Sequence, residues 1–247
     1  MAPASPLPMI LVLCNEHDVS AQWAAAALRR RGHKLRVVTD ADLAGVERWS
    51  HSVGVAGAAC EIQLAGGDVL RVGQTRGVLN RLSFLPAAWL RRYGGPDRDY
   101  AIQEQHALYL SWLHALPGPV LNPPTPQGLS GNWRHPSAWT ALGVQAGLPV
   151  HEYRQTSDDD PALAWQARPV AARVRVVGAR VVGPDNLVAA HHTACLQLSR
   201  SAGAPLLGID FAPDPAGQWR MTGASVMPDL IGGGDPLVDA LQEALLS

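Results

Sequence analysis

The residues in this chain that could do chemistry are few, and most stand singly. His191 and His192 are followed by Cys195. Residues 192 and 195 would share one face of a helix and set an imidazole beside a thiol as metal ligands. A structural zinc site takes four N or S ligands, and no second cluster supplies the rest. There is no Gly-x-Ser-x-Gly elbow, and no Ser-His-Asp or Cys-His set can be assigned. Cys14, at the end of an apolar run, reads as a small buried hydrophobe. Glu104 and His106 are two residues apart and so do not share a helix face. Asp210, at a strand end, suits turn hydrogen bonds, and Asp229, after Met227-Pro228, suits a turn or a helix cap. Arg175 sits in a hairpin whose alternate residues would face solvent. A point-charge contact from lysine to phosphate could come only from Lys34, because every other basic residue is arginine.

Such groups need elements to position them, and the periodicity predicts an α/β chain. Met9–Cys14 is a continuous apolar run, the pattern of a strand buried on both faces of a parallel sheet. Asp18 or Ser20 caps a helix over 21–31 that stops at Gly32, and Leu35–Thr39 is a second strand. Strand, helix, strand at this spacing opens a Rossmann-like sheet. Its first loop, 14–18, has no glycine, which excludes the close pyrophosphate approach of a dinucleotide fingerprint. Strands over 61–64 and 69–72 flank Ala65-Gly66-Gly67-Asp68, a hairpin signal. A strand over 77–82, a long helix over 99–116 and a short strand over 120–122 follow. The Pro- and Gly-rich stretch 123–131 marks a boundary, giving domains 1–125 and 126–247. The second carries a helix over 136–147, a hairpin of 174–177 with Arg180–Val182, and a short helix over 193–201. Strands over 206–211 and 219–221 and a helix over 236–246 close it. Asp158-Asp159-Asp160-Pro161 reads as an exposed acidic loop.

Bulk properties narrow the function classes. At 247 residues, 47% apolar and 17% charged, the chain has the composition of an ordinary soluble globular protein. A net charge of −1 gives no electrostatic attraction to nucleic acid or to anionic membranes. Cys14, Cys60 and Cys195 form no disulfide framework. No apolar run is long enough for a signal peptide or a membrane span, so the reading is cytoplasmic. Of 8 tryptophans, Trp112 and Trp139 lie on predicted helices as core. Trp133 and Trp165, in loops, would cover apolar surface within the chain or across a homodimer, and a homo-oligomer is expected.

Residues 207–230, with Gly208-Ile209-Asp210-Phe211, resemble the closing hairpin of the ATP-grasp ligases. There a Gly-Ile-Asp-Phe strand precedes one ending Glu-Val-Asn-Pro-x-Pro, and the Asp, Glu and Asn hold the magnesium ions that bridge the ATP phosphates. Val78-Leu79-Asn80-Arg81, Asp99-Tyr100-Ala101 through Trp112-Leu113, and Val120-Leu121-Asn122-Pro123 are similar to successive elements of the peptide-modifying members, relatives of the ribosomal-protein-glutamate ligases. Residues 132–136 resemble an Asn-x-Ser-Lys-Pro segment whose Lys contacts ATP, and 175–182 resemble the hairpin whose Arg meets the phosphates. The resemblance covers most of the chain in order. It implies a Rossmann-like pre-ATP-grasp domain followed by an ATP-grasp domain, ATP and Mg as cofactors, and a peptide or a partner enzyme as partner. It also implies Asp210 as a metal ligand and Arg175 and His135 as cofactor contacts.

The departures are as informative. Gly223 stands for the Glu, Ser225 for the Asn and His135 for the Lys. Magnesium wants hard oxygen ligands, which glycine lacks. Residues 150–172 stand where the family has a whole small lid subdomain with a second ATP-binding Lys. The expectation is therefore a reduced ATP-grasp domain without that subdomain. The expected function is that of a pseudo-ligase, a non-catalytic binding or scaffolding protein in a peptide-modification pathway. Two alternatives stay open: an ATP-dependent carboxylate–amine ligase completed by a partner subunit, and a small-molecule-binding protein using the interdomain cleft.

Overall fold

The computed structural model describes residues 9–55, 57–84, 94–155 and 170–247. It is a mixed α/β structure in which the described strands form three sheets. The chain divides into two compact units, residues 1–131 with 241–247, and residues 132–240.

In the first unit the apolar run β1 (Met9–Cys14), the helix α1 (Val19–Arg30) and β2 (Leu35–Thr39) make the expected parallel βαβ element. The helix starts earlier than position 21 because Asp18 is its cap, its side chain accepting from the Ala21 N–H at 3.0 Å. A five-residue helix α2 (Asp40–Ala44) follows, held by a capping box between Thr39 and Asp42. The strands β3 (Arg48–Gly54), β4 (Gly57–Gln63) and β5 (Val69–Arg71) form a separate antiparallel sheet. Then β6 (Thr75–Arg81), the long helix α3 (Gly95–Ala115) and β7 (Val120–Leu121) complete a four-stranded parallel sheet in the order β2-β1-β6-β7. Helix α3 begins before residue 99 because Pro96 occupies its first turn, where no N–H is needed.

One core joins the two sheets to α3. Leu11, Leu13, Val38 and Ile62 are buried with Tyr109, Trp112 and Leu113. Trp49 of β3 meets Tyr109 and Trp112 edge-on, with ring centroids 4.9 and 5.4 Å apart. At the carboxyl ends of the parallel strands a polar layer closes the sheet. Asn15 and the Glu16 N–H both donate to Asp40, at 2.9 and 2.7 Å. Asn80 donates to the carbonyls of Asn122 and Leu129 at 2.9 and 2.6 Å. Arg81 and Asp18 form a buried ion pair at 2.7 Å.

The second unit opens with α4 (Pro136–Gln145). It continues through β8 (Ala172–Val177), β9 (Arg180–Val182), α5 (Asp185–Ala202), β10 (Leu206–Pro213) and β11 (Trp219–Ser225) to α6 (Gly234–Leu246). Its sheet is antiparallel in the order β11-β10-β8-β9. Helix α5 replaces the short helix expected over 193–201. It starts after Pro184 with Asp185 in its first turn and ends at Gly203, which takes the left-handed φ of 62°. The expectation fell short because Ala189, Ala190 and His192 lie on the outer side and the stretch carries no apolar period, while Leu187 anchors the first turn in the core. Helix α6 begins in the second unit, and its end belongs to the first. There, on β6, Gly77 leaves room for the chain: a Cβ would sit 2.1 Å from the Leu245 carbonyl oxygen.

Trp112 and Trp139 are buried, as expected, whereas Trp133 is 71% exposed. Trp89, Trp165 and the acidic run 158–160 lie outside the described residues. Among the described residues no helix is long and apolar enough to cross a membrane.

Candidate functional site

Strand alternation decides what each face of the second unit's sheet can do. Val174, Val176, Leu207, Ile209 and Phe211 turn to one face and are buried in the core with Leu187, Cys195 and Leu198 of α5. The other face carries Arg173 and Arg175 of β8, Gly208 and Asp210 of β10, and Gly223 and Ser225 of β11. The pairing arranges them in two rows across three strands, Arg173–Asp210–Gly223 and Arg175–Gly208–Ser225. The β10–β11 register shifts between Asp210 and Phe211, a bulge beside the site.

In the first row Arg173 Nε donates to Asp210 Oδ1 at 2.5 Å, and its Nη1 lies 3.8 Å from Asp229 Oδ2. The hydrogen bond to Asp210 raises the Arg173 pKa. Side-chain exposures of 28% and 21% put the pair in a half-buried setting where charge attraction is screened less than at the surface. On the far side of Asp210 stands Gly223, with no side-chain oxygen. The negative charge of Asp210 is thus answered within the sheet by a guanidinium.

In the second row the chain roofs its own sheet. A Cβ on Gly208 would fall 2.7 Å from the Pro228 Cβ, so only glycine admits the loop that follows β11. Arg175, 8% exposed, donates from Nε to the Asp229 carbonyl at 2.6 Å and from Nη2 to the Ile231 carbonyl at 3.1 Å. Burial lowers its pKa. Ser225 Oγ accepts from the Met227 N–H at 3.0 Å. Asp229 Oδ1 accepts from the Ile231 N–H, a turn role. The donors of Arg175 hold this loop.

His135 is engaged elsewhere. It is the N-cap of α4, with Nδ1 2.9 Å from Ser137 Oγ, and its ring meets Tyr153 and Trp133 edge-on at 5.5 and 6.4 Å. The His192–Cys195 pair does not converge. His192 is exposed, Cys195 is fully buried, and burial pushes its thiol up to about 12, far from the thiolate a metal needs. Among the described residues no group of three His, Cys, Asp or Glu could hold a metal ion. Arg173 is the residue that sequence reasoning missed. The signal was available, since Arg173 and Arg175 alternate with Val174 and Val176 and must share the polar face.

His191 stacks on Phe211 with centroids 5.6 Å apart and planes at 8°. Burial lowers its pKa from the usual 6.5. The unfolded chain then binds the proton more tightly than the folded one, so stability is full above about pH 6.5 and falls as pH drops through the depressed value. The variant His191→Phe is expected to lose less stability on acidification than the wild type, as thermal melts across this window would show.

No protein-family model and no curated protein matches the chain. Solved structures do. The macrocyclase MdnC from Microcystis aeruginosa MRC, bound with precursor peptide MdnA, is 14% identical with a TM-score of 0.71 over 96% of this chain and 99% of that one. A RiPP-associated ATP-grasp ligase from Chryseobacterium gregarium, in complex with ADP and a leader and core peptide, is 10% identical with a TM-score of 0.68 over 96% of each chain. The ATP-grasp ligase PsnB, complexed with a phosphomimetic variant of minimal precursor, Mg and ADP, is 19% identical with a TM-score of 0.63 over 97% of this chain and 99% of that one. Matching these proteins over nearly their whole length at TM-scores of 0.63 to 0.71, the chain has the fold of the ATP-grasp ligases.

Proposed function

We propose that this protein is a peptide-binding pseudo-ligase, an ATP-grasp relative that serves a peptide-modification pathway without carrying out ATP-dependent ligation itself. One observation carries the reading: Asp210, the residue that would hold magnesium, is ion-paired to Arg173 at 2.5 Å and faces Gly223 across the next strand. Magnesium needs an octahedron of oxygens with at least one or two carboxylates free to bind it. A guanidinium already in place repels a divalent cation, and glycine offers no oxygen, so these residues do not fit the metal.

The other inherited positions point the same way. Arg175 and Ser225 fasten the loop after β11, and His135 caps a helix. Phosphoryl transfer relies on positioned positive charge and metal at the reacting oxygens. Losing one such group typically costs on the order of 3 kcal/mol of transition-state stabilisation. Residues 150–172 are too few for an independent lid, since a segment below about 40 residues rarely builds its own core. The peptide partner is inferred from the fold's company: the similar proteins named above were solved with precursor or leader peptides.

Calorimetry with ATP, with and without magnesium, tests the proposal on the wild type, Asp210→Ala and Arg173→Ala. No magnesium-dependent nucleotide binding is expected in the wild type at millimolar concentration. Binding that requires magnesium and disappears in Asp210→Ala would make the chain a ligase awaiting its missing part.

A further inference from the structure

The first unit contains a groove of about 870 Å³ that the reading above does not use. One wall is a single stripe of α3. Asp97, Tyr100, Glu104 and Leu108 follow each other at three- and four-residue intervals, so they stand on one side of the helix while Tyr109, Trp112 and Leu113 turn into the core. The facing wall is the segment from α2 into β3, which presents Leu43, Val46, Glu47 and Trp49. At 1.5 Å per residue the stripe runs about 16 Å, the span of about five residues of extended chain.

Its chemistry is two-sided. The inner surface is apolar and aromatic, and Tyr100 is left 64% exposed on a helix whose opposite face is fully packed. Three carboxylates, Glu47, Asp97 and Glu104, line it against one basic residue, Arg48. Glu47 accepts a hydrogen bond from Gln63 at 3.0 Å. Among the described residues neither Asp97 nor Glu104 forms a salt bridge. The chain as a whole is nearly neutral at −1, so this excess is local. Asp97 and Glu104 start two helical turns apart, about 10 Å, farther than one ammonium group reaches.

We propose that the groove docks a basic, apolar segment of a peptide, with aliphatic or aromatic side chains against Trp49, Val46 and Leu108 and Arg or Lys side chains at Asp97 and Glu104. The proposal rests on the peptide-binding reading and gives it a place and a partner chemistry. Burying apolar surface between rim charges that answer the partner's is how such interfaces combine affinity with selectivity.

Fluorescence anisotropy tests it with a labelled nine-residue peptide of alternating Arg and Leu. A Glu/Leu counterpart and an oligo-arginine of equal charge serve as comparisons. The Arg/Leu peptide is expected to bind and the Glu/Leu peptide to bind at least tenfold more weakly. Glu104→Arg and Asp97→Arg should each raise the Kd about tenfold or more, as reversed rim charges oppose a cationic partner, while Glu152→Arg, an exposed reversal in the other unit, leaves it unchanged. Tyr100→Ala weakens binding without altering charge, and because Tyr100 is exposed the fold survives it.

Binding that ignores Asp97 and Glu104 overturns the groove and leaves the peptide-binding reading standing. Oligo-arginine binding as tightly as the mixed peptide reduces the effect to charge attraction and also overturns it. Self-association of the protein alone, abolished by Glu104→Arg in sedimentation, assigns the groove to a second copy instead. If neither peptide binds, the groove assignment is overturned, and the peptide-binding reading, which does not depend on this groove, is left standing.

Discussion

Replacing Asp18 by alanine is expected to destabilise the first unit by about 4 kcal/mol. Two roles are lost together. Asp18 caps α1, a contribution of about 1 kcal/mol, and it neutralises Arg81 at 2.7 Å where the two side chains are only 10% and 5% exposed. Removing one member of a buried ion pair typically costs about 3–5 kcal/mol, because the remaining charge stays in a poor solvent. Asp18→Asn separates the roles: an amide oxygen still caps the helix, so its loss should be about 1 kcal/mol smaller. Urea unfolding of the three proteins gives both differences. Losses below about 1 kcal/mol for both variants would mean that water reaches the pair and screens it.

Gly77→Ala is the second large effect, and it arises from crowding instead of charge. The new methyl would lie 2.1 Å from the Leu245 carbonyl oxygen and 3.0 Å from its carbon. Both are backbone atoms, so no rotamer change relieves the clash and the end of α6 must move off β6. Overpacking costs about 1–3 kcal/mol where side chains can give, and more where they cannot, so about 3 kcal/mol or above is expected. Gly73→Ala is the matched control, because a Cβ there meets nothing within 4 Å. Its effect should stay within about 0.5 kcal/mol. Chemical denaturation of the pair decides the matter, and equal stabilities would show that α6 does not press on the strand.

The elements that the sequence makes legible are those whose signal is local. The unbroken apolar run of β1, the glycine-centred turn between β4 and β5, and the Gly178-Ala179 hairpin each state their structure within a few residues. β3 does not. Its residues Arg48-Trp49-Ser50-His51 alternate polar and apolar only weakly, and it is a strand because β4 pairs with it along its whole length. Helix α2 carried a readable signal in Thr39 and Asp42, a capping box, but at five residues it offers no periodicity to reinforce it. At the candidate site, Asp210 and the arginine-bearing hairpin could be picked out, since strand alternation and motif spacing place them. Which arginine faces Asp210 could not, because that is a matter of register between β8 and β10. The engagement of Arg175 with the loop after β11 is likewise invisible until the chain has folded back over Gly208.

The division of α6 between the two units has a consequence for how the protein is made. Residues 241–247 belong to the first unit, yet a ribosome reaches them only after the whole of the second. At about 5–20 residues per second, the first unit waits on the order of ten seconds after its residue 131 has been added. Through that interval the surface that Leu241 and Leu245 later bury stands open beside Gly77, while residues 132–240 are continuous in sequence and free to fold as they emerge. The nascent chain therefore completes its second unit before its first, and the exposed strip on the waiting unit is what a chaperone would meet.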